Sequence, residues 1–348
     1  MDRIVLATVS LFCLTSLAWG RPKLSDGQLA DVIDQFQYQG NYEITSTDKG
    51  GGFLSSCWTY DQVFETEYPQ ADEAMEVEMK LYIPNRSRLG DEQVPAVIIL
   101  PPTGGMNYLD RQTAETLCDY NMAAIILKTD FSNIVAQAEG DLLPPEDHEQ
   151  AFYRVAAGIK AVMAMVAEDE NMDSSKVGLF GVSLGGILGS FVMSTQPNIS
   201  AGYFVVAGGD IPEILAYSEQ REVSAIRRKR MREQGFETKE EFENFLREHI
   251  PFDPMDMAPM MLPETLRMVI ANRDDVVATE NQRALQEAFG NPQTMYYESG
   301  HTQTVISFLL PFTGRRRVAR FFEERFEVEN PRPDVFEAFN PYLELAAD

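Results

Sequence analysis

The 348-residue chain is 44% hydrophobic, enough to bury a large core as one α/β domain or as two smaller ones, and no part of it has the composition of a disordered segment. Its 29 basic residues stand against 54 acidic ones, a net charge of −25. A balance so acidic argues against nucleic acid or an anionic membrane as partner.

In chain order, Met1-Asp2-Arg3 is followed by an apolar run from Ile4 to Trp19, closed by small residues at Ala18 and Gly20. Residues 1–20 resemble a secretory signal peptide. The run is shorter than the roughly 20 apolar residues that cross a bilayer, and no later segment is longer, so no stable membrane insertion is expected. The protein is expected to be exported, to the periplasm or the extracellular space, with residues 21–348 as one domain. Export leaves Cys57 and Cys118 where disulfides persist. The sequence leaves open whether they pair or lie apart as two small buried hydrophobes.

The region before residue 75 shows no firm pattern beyond room for antiparallel edge strands. From there short β-rich runs alternate with longer helical ones. "EVEMKLYIP" (76–84) alternates polar and apolar residues, as a half-buried strand does. "AVIILP" (96–101) and "MAAIILK" (122–128) are continuous apolar runs, suited to strands covered on both faces. "SKVGLFG" (175–181), "AGYFVVAG" (201–208), "LRMVIAN" (266–272) and "QTMYYES" (293–299) continue the series. Helical patterns fill 110–121, 149–169, the stretch after Ser183, 279–290 and a single run over 303–327. This alternation predicts an α/β fold with a doubly wound, mostly parallel sheet.

One interval breaks the rhythm. Residues 209–262 carry no strand signal but several helical ones, with Gly235 as a C-terminal cap and Thr238 with Glu241 as a capping box. They read as a helical cap, or lid, inserted over the C-terminal edge of the sheet, where open α/β folds bind ligands. The tail, 330–348, has three prolines and reads as extended surface chain. It carries no assigned chemistry.

The chemistry centres on Gly181-Val182-Ser183-Leu184-Gly185, which fits G-x-S-x-G with a strand entering and a small-residue helix leaving. A sharp strand-to-helix turn exposes the serine hydroxyl beside a helix N-terminus, which favours developing negative charge. A serine needs a base, and the chain has three histidines. His148 begins a helix and His249 lies in the insertion. His301 follows the last strand, on a loop at the edge where Ser183 points, and is the expected base. The base needs an acid, and "ANRDDVVAT", after the penultimate strand, offers Asp274 and Asp275, either within reach.

With these residues in the order serine, acid at 274 or 275, histidine, the chain resembles the α/β-hydrolase superfamily over roughly residues 75–327. The family's acid loop commonly reads Gly-x-x-Asp-x-x-Val-Pro. The resemblance therefore implies Asp274 as the acid, although Ala271 and Ala278 stand where glycine and proline are usual. It also implies the oxyanion donors: the Leu184 amide in the elbow, and the Thr103 amide in "LPPTGGMN", which occupies the place of the family's His-Gly-x loop.

No G-x-G-x-x-G, P-loop or metal-ligand spacing occurs, and the hydrolase resemblance implies neither cofactor nor metal. The basic run Arg227, Arg228, Lys229, Arg230 and Arg232 is read as a solvated helix face rather than an anion site, and Arg315 to Arg317 likewise. "PMDMAPMML" (254–262) suits either an apolar acyl pocket or ordinary packing. The expected function is an exported serine hydrolase cleaving a small or medium carboxylic ester through an acyl-enzyme. Alternatives are a peptidase, thioesterase or acyltransferase of the same fold, or a catalytically silent binding protein. The sequence carries no signal for an oligomeric state.

Overall fold

Strand residues of alternating parity feed two different cores. In β4 (Val94–Leu100), Ala96, Ile98 and Leu100 join one buried cluster while Val97 and Ile99 join the other, and β5 (Ala123–Leu127) divides in the same way. A strand whose successive side chains all meet apolar neighbours must be apolar throughout, and this is the origin of the two unbroken runs. The computed structural model describes residues 24–50, 56–71, 73–85, 92–128, 148–250, 253–310 and 314–328. The proposed signal segment and the C-terminal tail fall outside the described residues.

The remaining strands are β1 (Glu43–Gly50), β2 (Cys57–Thr66), β3 (Met75–Pro84), β6 (Met172–Val182), β7 (Ile199–Val205), β8 (Leu266–Ala271) and β9 (Gln293–Tyr297). Among the described residues they form one nine-stranded sheet in the order β1-β2-β3-β5-β4-β6-β7-β8-β9. The pairs from β5 to β9 are parallel, whereas β1, β2 and β3 are antiparallel additions at one edge. The room for edge strands before residue 75 is filled in this way. In β3, Met75, Val77 and Met79 are buried and Glu76 and Glu78 exposed, the pattern of a half-covered strand.

Helices α1 (Asp26–Gln35), α3 (His148–Glu168) and α4 (Leu184–Thr195) pack into one core, and α2 (Tyr108–Asp119) packs into the other. Since α2 leaves β4 on one face and α4 leaves β6 on the opposite face, β4 and β6 flank the point where the winding reverses. That crevice is where open α/β sheets build their sites.

Between β7 and β8 the insertion folds as α5 (Ile211–Tyr217), α6 (Arg221–Gln234), α7 (Lys239–His249) and the short α8 (Pro254–Met257). Gly235 ends α6 at φ 78°, and the Thr238–Glu241 capping box is formed. Ala216, Phe242, Leu246 and Ile250 make a small core of the insertion's own. Arg247 ties it down: its guanidinium donates to Asp210 at 2.9 Å, and Asp210 is buried.

Several expectations need correction. The last helical run is two helices, α10 (His301–Phe308) and α11 (Gly314–Phe326), following α9 (Thr279–Ala288). Pro311, which cannot continue a helix, stands in the gap. The basic run on α6 is a solvated face only in part: Arg228 and Arg232 are exposed, but Arg227 and Arg230 are buried, and Arg227 donates to the Ser218 carbonyl at 2.7 Å. Their long apolar stems line the interior of the insertion together with Phe242 and Leu246. Arg315 is buried too, donating to Gln112 Oε1 at 2.9 Å. In the methionine-rich stretch, Met257 is part of the main core, which favours packing, while Met260 and Leu262 are exposed. Cys57 and Cys118 form a disulfide with 6.2 Å between Cα atoms, fastening β2 to α2.

Candidate active site

Ser183 sits between β6 and α4 with φ 53° and ψ −122°, a backbone conformation that non-glycine residues seldom adopt. Its neighbours make the turn possible. A Cβ on Gly185 would lie 2.2 Å from the Leu100 carbonyl oxygen, and one on Gly181 would lie 2.6 Å from that of Gly185. Neither backbone contact can be relieved by a side-chain rotation, so the two glycines are required by close approach. The Ser183 N–H donates to the Val205 carbonyl at 2.9 Å, pinning the turn to β7.

At the same edge of the sheet, after β9, His301 opens α10, capped by Gly300, rather than lying within a loop. Its Nε2 is 2.9 Å from Ser183 Oγ and its Nδ1 is 2.7 Å from Asp274 Oδ2. All three residues are largely buried, with the Asp274 carboxylate fully so. Of the two acids left open by the residues alone, Asp274 faces the histidine and Asp275 is exposed. Asp274 is held by its own loop, since Oδ1 accepts the Val276 and Val277 N–H groups at 2.9 and 3.0 Å.

The other two histidines stand elsewhere. His249 bonds the Phe245 carbonyl one turn back on α7, and His148 begins α3 with its side chain outside the described residues. Leu184 is the first residue of α4, so its N–H is one of the helix-end donors without an acceptor within the helix. Thr103 lies in the turn after β4, which the Gly185 contact with the Leu100 and Pro101 carbonyls brings against the elbow. Gly104 and Gly105 in that turn have φ of 96° and 78°.

The motif reading missed Gln282, on α9 and fully buried. Its Nε2 donates to Asp274 Oδ2 and to the Val277 carbonyl, both at 2.7 Å, and its Oε1 accepts the Ala271 N–H at 3.0 Å. The helical spacing of α9 places position 282 on the buried face, and a polar residue there was the available signal. Among the described residues no group of His, Cys, Asp and Glu is arranged to hold a metal.

A family model described as "alpha/beta hydrolase domain containing 18" matches residues 39–210, which include the strands around the elbow and Ser183 itself. The chain belongs to the α/β-hydrolase superfamily. Solved α/β-hydrolase structures resemble it over most of its length. An acetyl xylan esterase from Paenibacillus sp. R4 aligns with a TM-score of 0.65 at 16% identity, covering 87% of this chain and 96% of that one. A second acetyl xylan esterase, from Thermoanaerobacterium sp. JW/SL YS485, gives 0.58 at 16% identity over 86% and 93%. An S-formylglutathione hydrolase from Agrobacterium tumefaciens gives 0.51 at 13% identity over 82% and 99%. At such identities the likeness is one of fold. No curated protein matches the sequence.

Proposed function

We propose that the protein is a serine hydrolase acting on carboxylic esters of small or medium acyl groups. The observation that carries the reading is the continuous chain Ser183 Oγ, His301 Nε2, His301 Nδ1, Asp274 Oδ2, with links of 2.9 and 2.7 Å, built on a serine in a strained turn. Ser183 Oγ attacks the ester carbonyl as His301 Nε2 takes its proton. The oxyanion is held by the Leu184 and Thr103 amides beside the α4 N-terminus. His301 returns the proton to the alkoxy leaving group as the C–O bond breaks. Water, deprotonated by the same nitrogen, then attacks the acyl-enzyme, releasing the acid and regenerating the Ser183 hydroxyl. Asp274 keeps Nδ1 protonated and the ring oriented throughout. Two of the solved structures similar to this chain are acetyl xylan esterases, which supports esters over other acyl compounds. The Cys57–Cys118 disulfide supports an exported protein, cleaved after the segment at 1–20.

Mass spectrometry after fluorophosphonate treatment tests the reading. Wild type is expected to gain one adduct, on Ser183. Ser183→Ala is expected to gain none, and His301→Ala to label and turn over on the order of 10⁴-fold more slowly. A folded wild type that stays unlabelled would refute the catalytic reading in favour of a silent binding protein. Panels of esters, thioesters and peptides given to the unlabelled wild type separate the chemistries that share this site.

A further inference from the structure

We propose that Gln282 is the positioning residue of the acid: its carboxamide holds Asp274 in the orientation from which Oδ2 can orient His301. The assignment rests on the serine-hydrolase reading and adds a fourth residue to it.

The hydrogen bonds leave the amide one orientation. Nε2 spends both protons on acceptors, Asp274 Oδ2 and the Val277 carbonyl, while Oε1 faces the Ala271 N–H. A flipped amide would set an oxygen against those two acceptors and an NH₂ against a donor, so three favourable contacts would become three unfavourable ones. The side chain is fully buried, in surroundings of low dielectric that strengthen these bonds.

The three anchors have different origins. Ala271 ends β8, Val277 closes the acid loop, and Gln282 itself is on α9. The amide therefore locks the carboxylate to the end of β8 and to the first turn of α9 at once. Without it, Asp274 Oδ1 would still be held by two amides, but Oδ2 would be held by His301 alone. The carboxylate could then rotate about its Cβ–Cγ bond, and the imidazole would lose the fixed acceptor that sets its tautomer.

Two replacements separate this role from a structural one. Gln282→Glu keeps an acceptor for the Ala271 N–H and nearly the same volume, but presents an oxygen to Asp274. Gln282→Met keeps the volume and loses every bond. If Gln282 positions the acid, both variants label with fluorophosphonate and turn over ester on the order of 10- to 100-fold more slowly, with KM unchanged. In an Asp274→Asn background, Gln282→Met should cost less than threefold more, since the two act through one carboxylate. The far-downfield proton resonance of His301 Nδ1–H in the wild type should move upfield or vanish in Gln282→Glu.

A Gln282→Glu protein that labels at the wild-type rate, or a Gln282→Met effect undiminished beside Asp274→Asn, would overturn the proposal and leave Gln282 a tie between β8 and α9. Should wild type itself fail to label, the hydrolase reading falls separately. The resonance then decides this one: displaced in Gln282→Glu, it supports the hold on Asp274, and unmoved, it refutes it.

Discussion

Asp110, just beyond the turn that carries Thr103, is a buried carboxylate with one satisfied oxygen. Oδ2 accepts the Asn107 N–H at 2.9 Å, whereas Oδ1 is buried without a partner. Burial is the largest influence on it, opposed by the Asn107 bond and by Arg111, and pushes its pKa up to about 6. The native state therefore holds a proton that the unfolded chain, at the usual value of about 3.9, releases earlier. With more protons bound natively than in the unfolded chain, stability falls as pH rises from about 4 through about 6. A rise of roughly 2 pH units at about 1.4 kcal/mol each amounts to about 3 kcal/mol at pH 8. Of this, about 2 kcal/mol accrues between pH 4.5 and pH 8. Asp110→Asn keeps the acceptor for Asn107 and has no charge to bury. Any cost of its own unpaired NH₂ is present at both pH values and cancels in the difference. Urea unfolding of the two proteins should therefore show the variant gaining about 2 kcal/mol on wild type on going from pH 4.5 to pH 8. Stability curves that run parallel across this window would refute the reasoning, and would mean that Asp110 is solvated or partnered in solution.

Gly185→Ala should abolish labelling at Ser183 and cost about 1 to 3 kcal/mol, read by thermal unfolding, because its Cβ meets backbone oxygens at 2.2 and 2.4 Å. Replacing Cys57 and Cys118 by alanine frees a loop spanning a sequence separation of 61. Loop-closure entropy puts the loss at about 4 kcal/mol, which a shift in the urea midpoint would measure. Arg247→Met leaves the buried Asp210 carboxylate without its cation and should cost about 3 to 5 kcal/mol. Hydrogen exchange should show the loss of protection concentrated in 209–250.

The central strands, the elbow at Ser183 and the caps of the insertion were legible because each is written in local sequence. Apolar runs of strand length, two glycines around a serine, and a threonine three residues before a glutamate act on their own backbone neighbourhoods. The antiparallel edge was not legible in that way: β1, "EITSTDKG", is almost wholly exposed and carries no hydrophobic period to detect. The basic run on α6 misled for a related reason. Charge composition is visible in sequence, but the burial of Arg227 and Arg230 depends on what α7 brings against them.

At the site, the order of serine, acid and histidine followed from strand positions along the chain. Which of Asp274 and Asp275 turns inward did not, because adjacent loop residues differ only in the direction that the folded loop gives them. Gln282 lies eight residues beyond Asp274, and the Cys57–Cys118 bond joins a strand to a helix across a separation of 61. Both depend on distances that exist only after the sheet has formed. The sequence by itself determined the local backbone and the chemical types available. Tertiary structure alone decided which polar groups meet, because a hydrogen bond or a disulfide is set by positions within a few ångströms that no single segment controls.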